Sequence, residues 1–181
     1  PPFYIGGISP AAVDVGSRHA DVYLFWSNTF EQIATDMATV SAAAKSHDRE
    51  DQLRYGLRSH VLVRETAEEA QAAVKLLMAD ATDQMRAHRQ NALGNQSHAD
   101  ARMREVAEEA AENDHWLSDT LWAGITTIRH GAGVTIVGSA EQVAETIQGY
   151  IDLGISSFCL SGYPHDEEAT RFGDLVMPAF Q

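Results

Sequence analysis

Arg58 and His60 stand two residues apart in the stretch Gly56-Leu57-Arg58-Ser59-His60-Val61. Side chains two apart on a strand share a face. The pair therefore presents a permanent cation beside a titratable imidazole, while Tyr55, Leu57, Val61 and Val63 take the opposite face. An arginine inside a sheet is costly unless it meets an anion or a carboxylate. That leaves two readings, a buried structural ion pair or a polar site built from both residues. Further along, Arg129 precedes Gly131-Ala132-Gly133, a flexible loop on which a guanidinium can close over an anion. Near the end, Ser161-Gly162-Tyr163-Pro164-His165 follows an apolar run. It sets a phenol and an imidazole, two groups able to hold or move a proton, at the end of a strand. Trp26 also ends an apolar run and reads equally as core packing or as an apolar wall. Ser9, after Gly6-Gly7, either caps a helix or marks a junction whose backbone N–H groups take a phosphate.

Other residues carry less. Cys159, inside an apolar run, reads as a packed core thiol. Asp166, Glu167 and Glu168 read as the solvated acidic first turn of a helix. His19, His47, His88, His98, His115 and His130 lack the paired spacing of a metal site, so no metal is expected. No G-x-S-x-G, Walker loop or C-x-x-C is present.

The elements that must position these groups alternate. Apolar runs at 3–7, 21–26, 54–63 and 155–160 read as strands. Ser9 and Pro10 open a first helix, and Phe30, Ile33, Met37 and Val40 space a second over 29–45. One long helix is expected from Thr66 to about His88. Ser139 and Gln142 make a capping-box pair, Val143, Ile147 and Ile151 an apolar stripe, and Gly154 a C′ glycine. A last helix runs from about Asp166 to Met177. Near-continuous apolar strands joined by helices mean an α/β fold with parallel βα units. Four units amount to half of a (β/α)8 barrel, a TIM barrel, filling one domain over 1–181. The polar stretch 86–135 interrupts the rhythm as an inserted lid segment.

The chain has 181 residues and a net charge of −13, which argues against nucleic acid or an anionic membrane as partner. No apolar run reaches the roughly 18–20 residues that span a bilayer, and the opening residues are no signal peptide. One cysteine suits a reducing, cytoplasmic compartment. The start at Pro1-Pro2 is what a segment of a longer protein would show.

Taken together, "DVYLFW", "GLRSHVLVRET", "LWAGITTIRHGAGVTIVGS" and "SFCLSGYPHDEEATRFGDLVMP" resemble the C-terminal half of the bacterial luciferase-like flavin monooxygenases, in particular the alkanesulfonate monooxygenases. The resemblance implies a (β/α)8 barrel about twice this length and a two-component reaction. A separate NAD(P)H-dependent FMN reductase supplies reduced FMN. With O2 as co-substrate, the oxygenase cleaves the C–S bond of an alkanesulfonate to an aldehyde and sulfite. It implies catalytic roles for Arg58, His60, Arg129 and Tyr163, and substrate contacts from Trp26, Arg58, Arg129 and His165. Flavin contacts would come from Ser9, Tyr163 and His165, and the complete protein would be a homo-oligomer. Ile8 and Ser27-Asn28-Thr29 depart from the family's usual stretches, and His130 stands where relatives often have a small residue. These departures leave the oxygenase class intact and the substrate open among a methanesulfonate, a long-chain sulfonate and a sulfone. Another reading keeps the barrel but changes the chemistry, to a deazaflavin-dependent reductase or a luciferase-type aldehyde oxidation. A non-catalytic half-barrel is the reading of another class.

Overall fold

The structure is a computed structural model that describes residues 1–79, 81–91, 97–129 and 131–181. His130 and residues 92–96 of the expected lid lie outside the described residues.

Three strand–helix units open the chain: β1 (Tyr4–Gly6) with α1 (Pro10–His19), β2 (Val22–Trp26) with α2 (Phe30–Lys45), and β3 (Arg54–Arg64) with α3 (Ala67–Ala79). A hydroxyl caps each helix. Ser9 accepts from the Ala12 amide at 3.2 Å, Thr29 from Gln32 at 3.3 Å and Thr66 from Glu69 at 3.2 Å. Each bond satisfies an amide that the helix itself cannot. The single long helix expected after Thr66 is two. α3 stops at Ala79, and α4 (Asp83–Asn91) starts afresh because Thr82 caps it, accepting from Met85 at 3.2 Å.

Then come α5 (His98–Glu109), the two-residue strand β4 (Leu121–Trp122), β5 (Thr135–Ser139), α6 (Ala140–Asp152), β6 (Ile155–Ser161) and α7 (His165–Leu175). The Ser139–Gln142 capping box is present on α6, and Gly154 follows its end at φ +108°. Val143 and Ile147 are buried, whereas Ile151, expected on the same stripe, is 37% exposed. It faces an open apolar groove with Phe158, Met177 and Phe180.

β1, β2, β3 and β6 pair in that order, all parallel. This is a partial (β/α)8 barrel. β3 outgrows its neighbour. Its pairing with β2 ends at Trp26 opposite Arg58, after which the Ser27 amide donates to the Arg58 carbonyl at 2.9 Å. β5 then borders β3 from His60 to Arg64, while β6 accompanies the other edge as far as His60. His60 is thus held between two strands. The hydrophobic pattern leaves β5 unassigned because it is short and runs directly into a cap, and β4 pairs with it antiparallel.

Leu57, Val61 and Val63 pack with Ile33 and Val40 of α2 and Val143 and Ile147 of α6. This is the expected apolar face of β3. The segment expected as an insertion adds to this same core, where Met103, Ala107, Leu121 and Ala123 are buried. Two expectations fail here. Cys159 is exposed, because Phe158 and Leu160 take the core side of an edge strand and alternation turns Cys159 away from it. Glu168 is 3% exposed rather than solvated, because two arginines hold its carboxylate.

Candidate active site

A cavity of about 450 Å³ opens at the C-terminal ends of β1 and β2, beside Arg58 in the middle of β3. Gly6, Gly7, Ser9, Trp26, Asn28 and Arg58 line it, and His98, Arg102 and Met103 of α5 form its far wall. The size is that of a small-molecule or cofactor site. Gly7 has φ +142°, and a Cβ there would meet the Ala12 Cβ at 2.7 Å. The chain can therefore turn this tightly into α1 only with glycine. Ser9 caps α1 and also lines the cavity. Trp26 packs on the core and lines the cavity as well.

Arg58 is half-buried, and among the described residues no carboxylate pairs with it. Asp36, in the same cavity, is already engaged by Arg102 at 2.6 Å and Gln32 at 2.9 Å. Among the described residues the fold thus builds no ion pair around Arg58, whose guanidinium lines the cavity.

The next inward position on β3 belongs to a second cluster. An Arg129 Nη1 lies 2.9 Å from His60 Nε2, and the Tyr163 hydroxyl lies 3.4 Å from the same nitrogen. The Arg129 guanidinium sits 5.0 Å from the Tyr163 ring centroid, and the His165 ring meets Tyr163 edge-on at 4.8 Å. Arginine only donates, so Nε2 must accept and the imidazole proton sits on Nδ1. Burial, then the charges of Arg129, Arg58 and His165, lower the His60 pKa to about 4. Near neutral pH His60 is therefore an uncharged acceptor. Its Nδ1 is buried without a hydrogen-bond partner.

Ala132 and Gly133, in the described part of the loop after Arg129, pack closely. Ala132 is 2% exposed, and a Cβ on Gly133 would meet Ser27 Oγ at 2.8 Å and its amide nitrogen at 2.9 Å. Ser27 in turn donates its hydroxyl to the Val134 carbonyl. Only Gly131, at φ +71°, borders open space.

The residues singled out from the sequence thus fall into two groups. Ser9, Trp26 and Arg58 line the cavity; His60, Arg129, Tyr163 and His165 form the cluster. Arg58 and His60 join the groups as alternate residues of one strand. Sequence reasoning missed Asp36, Arg102, Met103 and Glu168. Asp36 and Arg102 are far apart in the chain, and no spacing signals their pairing.

Among the described residues no helix is long and apolar enough to cross a membrane, and no three His, Cys, Asp or Glu residues are grouped to hold a metal. Solved structures share the fold. DmoA from Hyphomicrobium sulfonivorans superposes with a TM-score of 0.76 at 18% identity, over 98% of this chain and 41% of its own. An EDTA monooxygenase, EmoA from Chelativorans sp. BNC1, gives 0.70 at 19%, over 98% and 43%. A coenzyme F420-dependent tetrahydromethanopterin reductase from Methanopyrus kandleri gives 0.59 at 18%, over 99% and 51%. The chain spans about half or less of each of these proteins. The family model described as luciferase-like monooxygenase matches residues 1–157, most of the chain, so this protein belongs to the luciferase-like monooxygenase family.

Proposed function

We propose that this chain is the C-terminal half of a two-component alkanesulfonate monooxygenase that uses reduced FMN and O2. The observation that carries the reading is Arg58, a half-buried cation without a carboxylate partner among the described residues, in a cavity walled by Trp26, Leu24 and Met103. A sulfonate is a permanent anion on an apolar chain. Arg58 would bind its head by charge-assisted hydrogen bonds, with the tail against the apolar wall. The overall charge of −13 repels anions from the surface at large, so a local, partly desolvated arginine is what such a substrate requires.

The residues present also fit FMN. The Gly6-Gly7 turn and the α1 N-terminus capped by Ser9 offer backbone N–H groups to a phosphate. The wall of Ile8, Leu24 and Trp26 suits a planar ring. Bound reduced flavin would supply the electrons that activate O2. Everything else falls to the chain. Arg58 and Arg129 hold the sulfonate, and His60, neutral and accepting on Nε2, keeps the Tyr163 hydroxyl oriented. Tyr163 gives or takes a proton as the C–S bond breaks. His165, edge-on to Tyr163, would contact the flavin. The described part of 86–135 would serve as a lid through the α5 wall, keeping water from the cavity. The same reading brings an NAD(P)H-dependent FMN reductase as partner, a homo-oligomeric complete protein and a cytoplasmic location.

The test is sulfite release by the full-length protein, with FMN, NADH and a flavin reductase, from a panel of short- and long-chain sulfonates. Sulfite is expected from at least one of them. No sulfite from any, with turnover of sulfones, of aldehydes or with a reduced deazaflavin, would overturn the sulfonate reading while keeping the family.

A further inference from the structure

Glu168 is the only buried residue of α7 in the structure, and its side chain is 2% exposed. One carboxylate oxygen accepts from both Arg64 at 2.8 Å and Arg171 at 2.7 Å, while the other is buried without a hydrogen bond. Arg64 ends β3, four residues beyond His60. The Glu168 stem also supports the strand end. A Cβ on Gly162 would lie 2.5 Å from the Glu168 Cβ and 2.8 Å from the Val61 carbonyl, so the turn into Tyr163 rests directly on this side chain. A cavity of about 350 Å³ lies beside Gly162, lined also by Val61, Leu160, Phe172 and Glu168 itself. The two ion pairs of Glu168 thus fix the side chain on which the turn rests.

From this geometry we infer that Glu168 is a positioning residue for Tyr163. It ties the end of β3 to α7 through Arg64 and thereby fixes the Tyr163 hydroxyl against His60. A buried ion pair is poor value as a stabiliser, since apolar residues of equal volume often serve a fold as well or better. Glu168 pays that cost beneath the one turn whose hydroxyl must meet His60 Nε2, and misplacing a reacting group by about 1 Å costs up to roughly 100-fold in rate. The kinetic side of this inference rests on the sulfonate oxygenase reading; the geometric side does not.

The experiment compares Glu168→Gln, Tyr163→Phe and the double variant in the full-length protein. Glu168→Gln is expected to lower kcat for sulfite release about 10-fold or more with KM for the sulfonate unchanged. In the Tyr163→Phe background it should cost almost nothing further, because the group it positions is gone. Arg64→Met should reproduce the effect, and serves also if Glu168→Gln folds poorly. In parallel, ring-¹³C-tyrosine NMR follows the Tyr163 signal, assigned by its loss in Tyr163→Phe; that signal should move in Glu168→Gln. Additive kinetic losses, or an unmoved Tyr163 signal, would overturn the inference. If the wild-type protein releases no sulfite, the proposed function fails, and the NMR comparison alone then decides the positioning.

Discussion

At the scale of single residues, Arg58 and His60 show how one strand serves two tasks. Alternation puts both on one face, and their partners differ because β3 changes neighbours between them. β2 ends opposite Arg58, leaving that side chain at a cavity mouth, whereas His60 is enclosed by β5 and β6. Arg58→Ala should therefore lower kcat/KM for a sulfonate by about 100-fold through loss of charge-assisted bonds. Far-UV circular dichroism should remain that of the wild type, since no ion pair is broken. His60 predicts a pH effect. Unfolded, its imidazole titrates near 6.5; folded, near 4. Between those values the unfolded chain holds a proton that the native chain lacks, so stability rises with pH across the window and is lost as pH falls from 6.5 towards 4. Urea titrations of wild type and His60→Gln at pH 7, 5.5 and 4 should show that the variant lacks this part of the slope.

At the scale of elements, the insertion is not a loose flap over its described length. α5 contributes Met103 and Ala107 to the core and turns Arg102 towards Asp36 of α2, across the rim of the cavity. Side-chain exposures of 29% and 13% place this pair between the surface and buried regimes. Breaking it with Arg102→Ala should cost about 1 kcal/mol of stability. The larger expected effect is on coupling. On the proposed sulfonate reading, with the α5 wall loosened, sulfite formed per NADH consumed should fall in the full-length protein while NADH oxidation continues, measured by parallel sulfite and NADH assays. Unchanged coupling would mean that the ion pair holds the insertion in place without sealing the cavity.

For the whole molecule, the open sheet edges dominate. Among the described residues β1 pairs only with β2 and β6 only with β3, so each carries an unpaired edge. Phe3 at 64%, Tyr4 at 50%, Met177 at 42% and Phe180 at 37% expose apolar surface close to these edges. Such edges recruit other strands. The isolated 181-residue chain is expected to self-associate at micromolar concentration in size-exclusion chromatography with light scattering. Met177→Ser with Phe180→Ser should reduce the associated fraction. A monodisperse monomer with a sharp, cooperative melt would contradict this view.

Much of this was legible from local pattern. The βα alternation, the Ser9 and Thr66 caps, the Ser139–Gln142 box and the Arg58–His60 pair all depend on contacts a few residues apart, which spacing alone encodes. What spacing does not encode is which distant chain segment fills an edge or a charge. β5 taking over from β2, Arg102 claiming Asp36, and Arg129 and Tyr163 meeting at one nitrogen of His60 were decided by the tertiary structure. So was the burial of Glu168, whose neighbours in sequence are solvated carboxylates and whose partner Arg64 arrives from the end of another strand. The sequence by itself determined the family of fold and the chemical types at the site. Long-range packing determined which of those groups are free to act, because pairing, desolvation and hydrogen-bond direction exist only between residues that folding brings together.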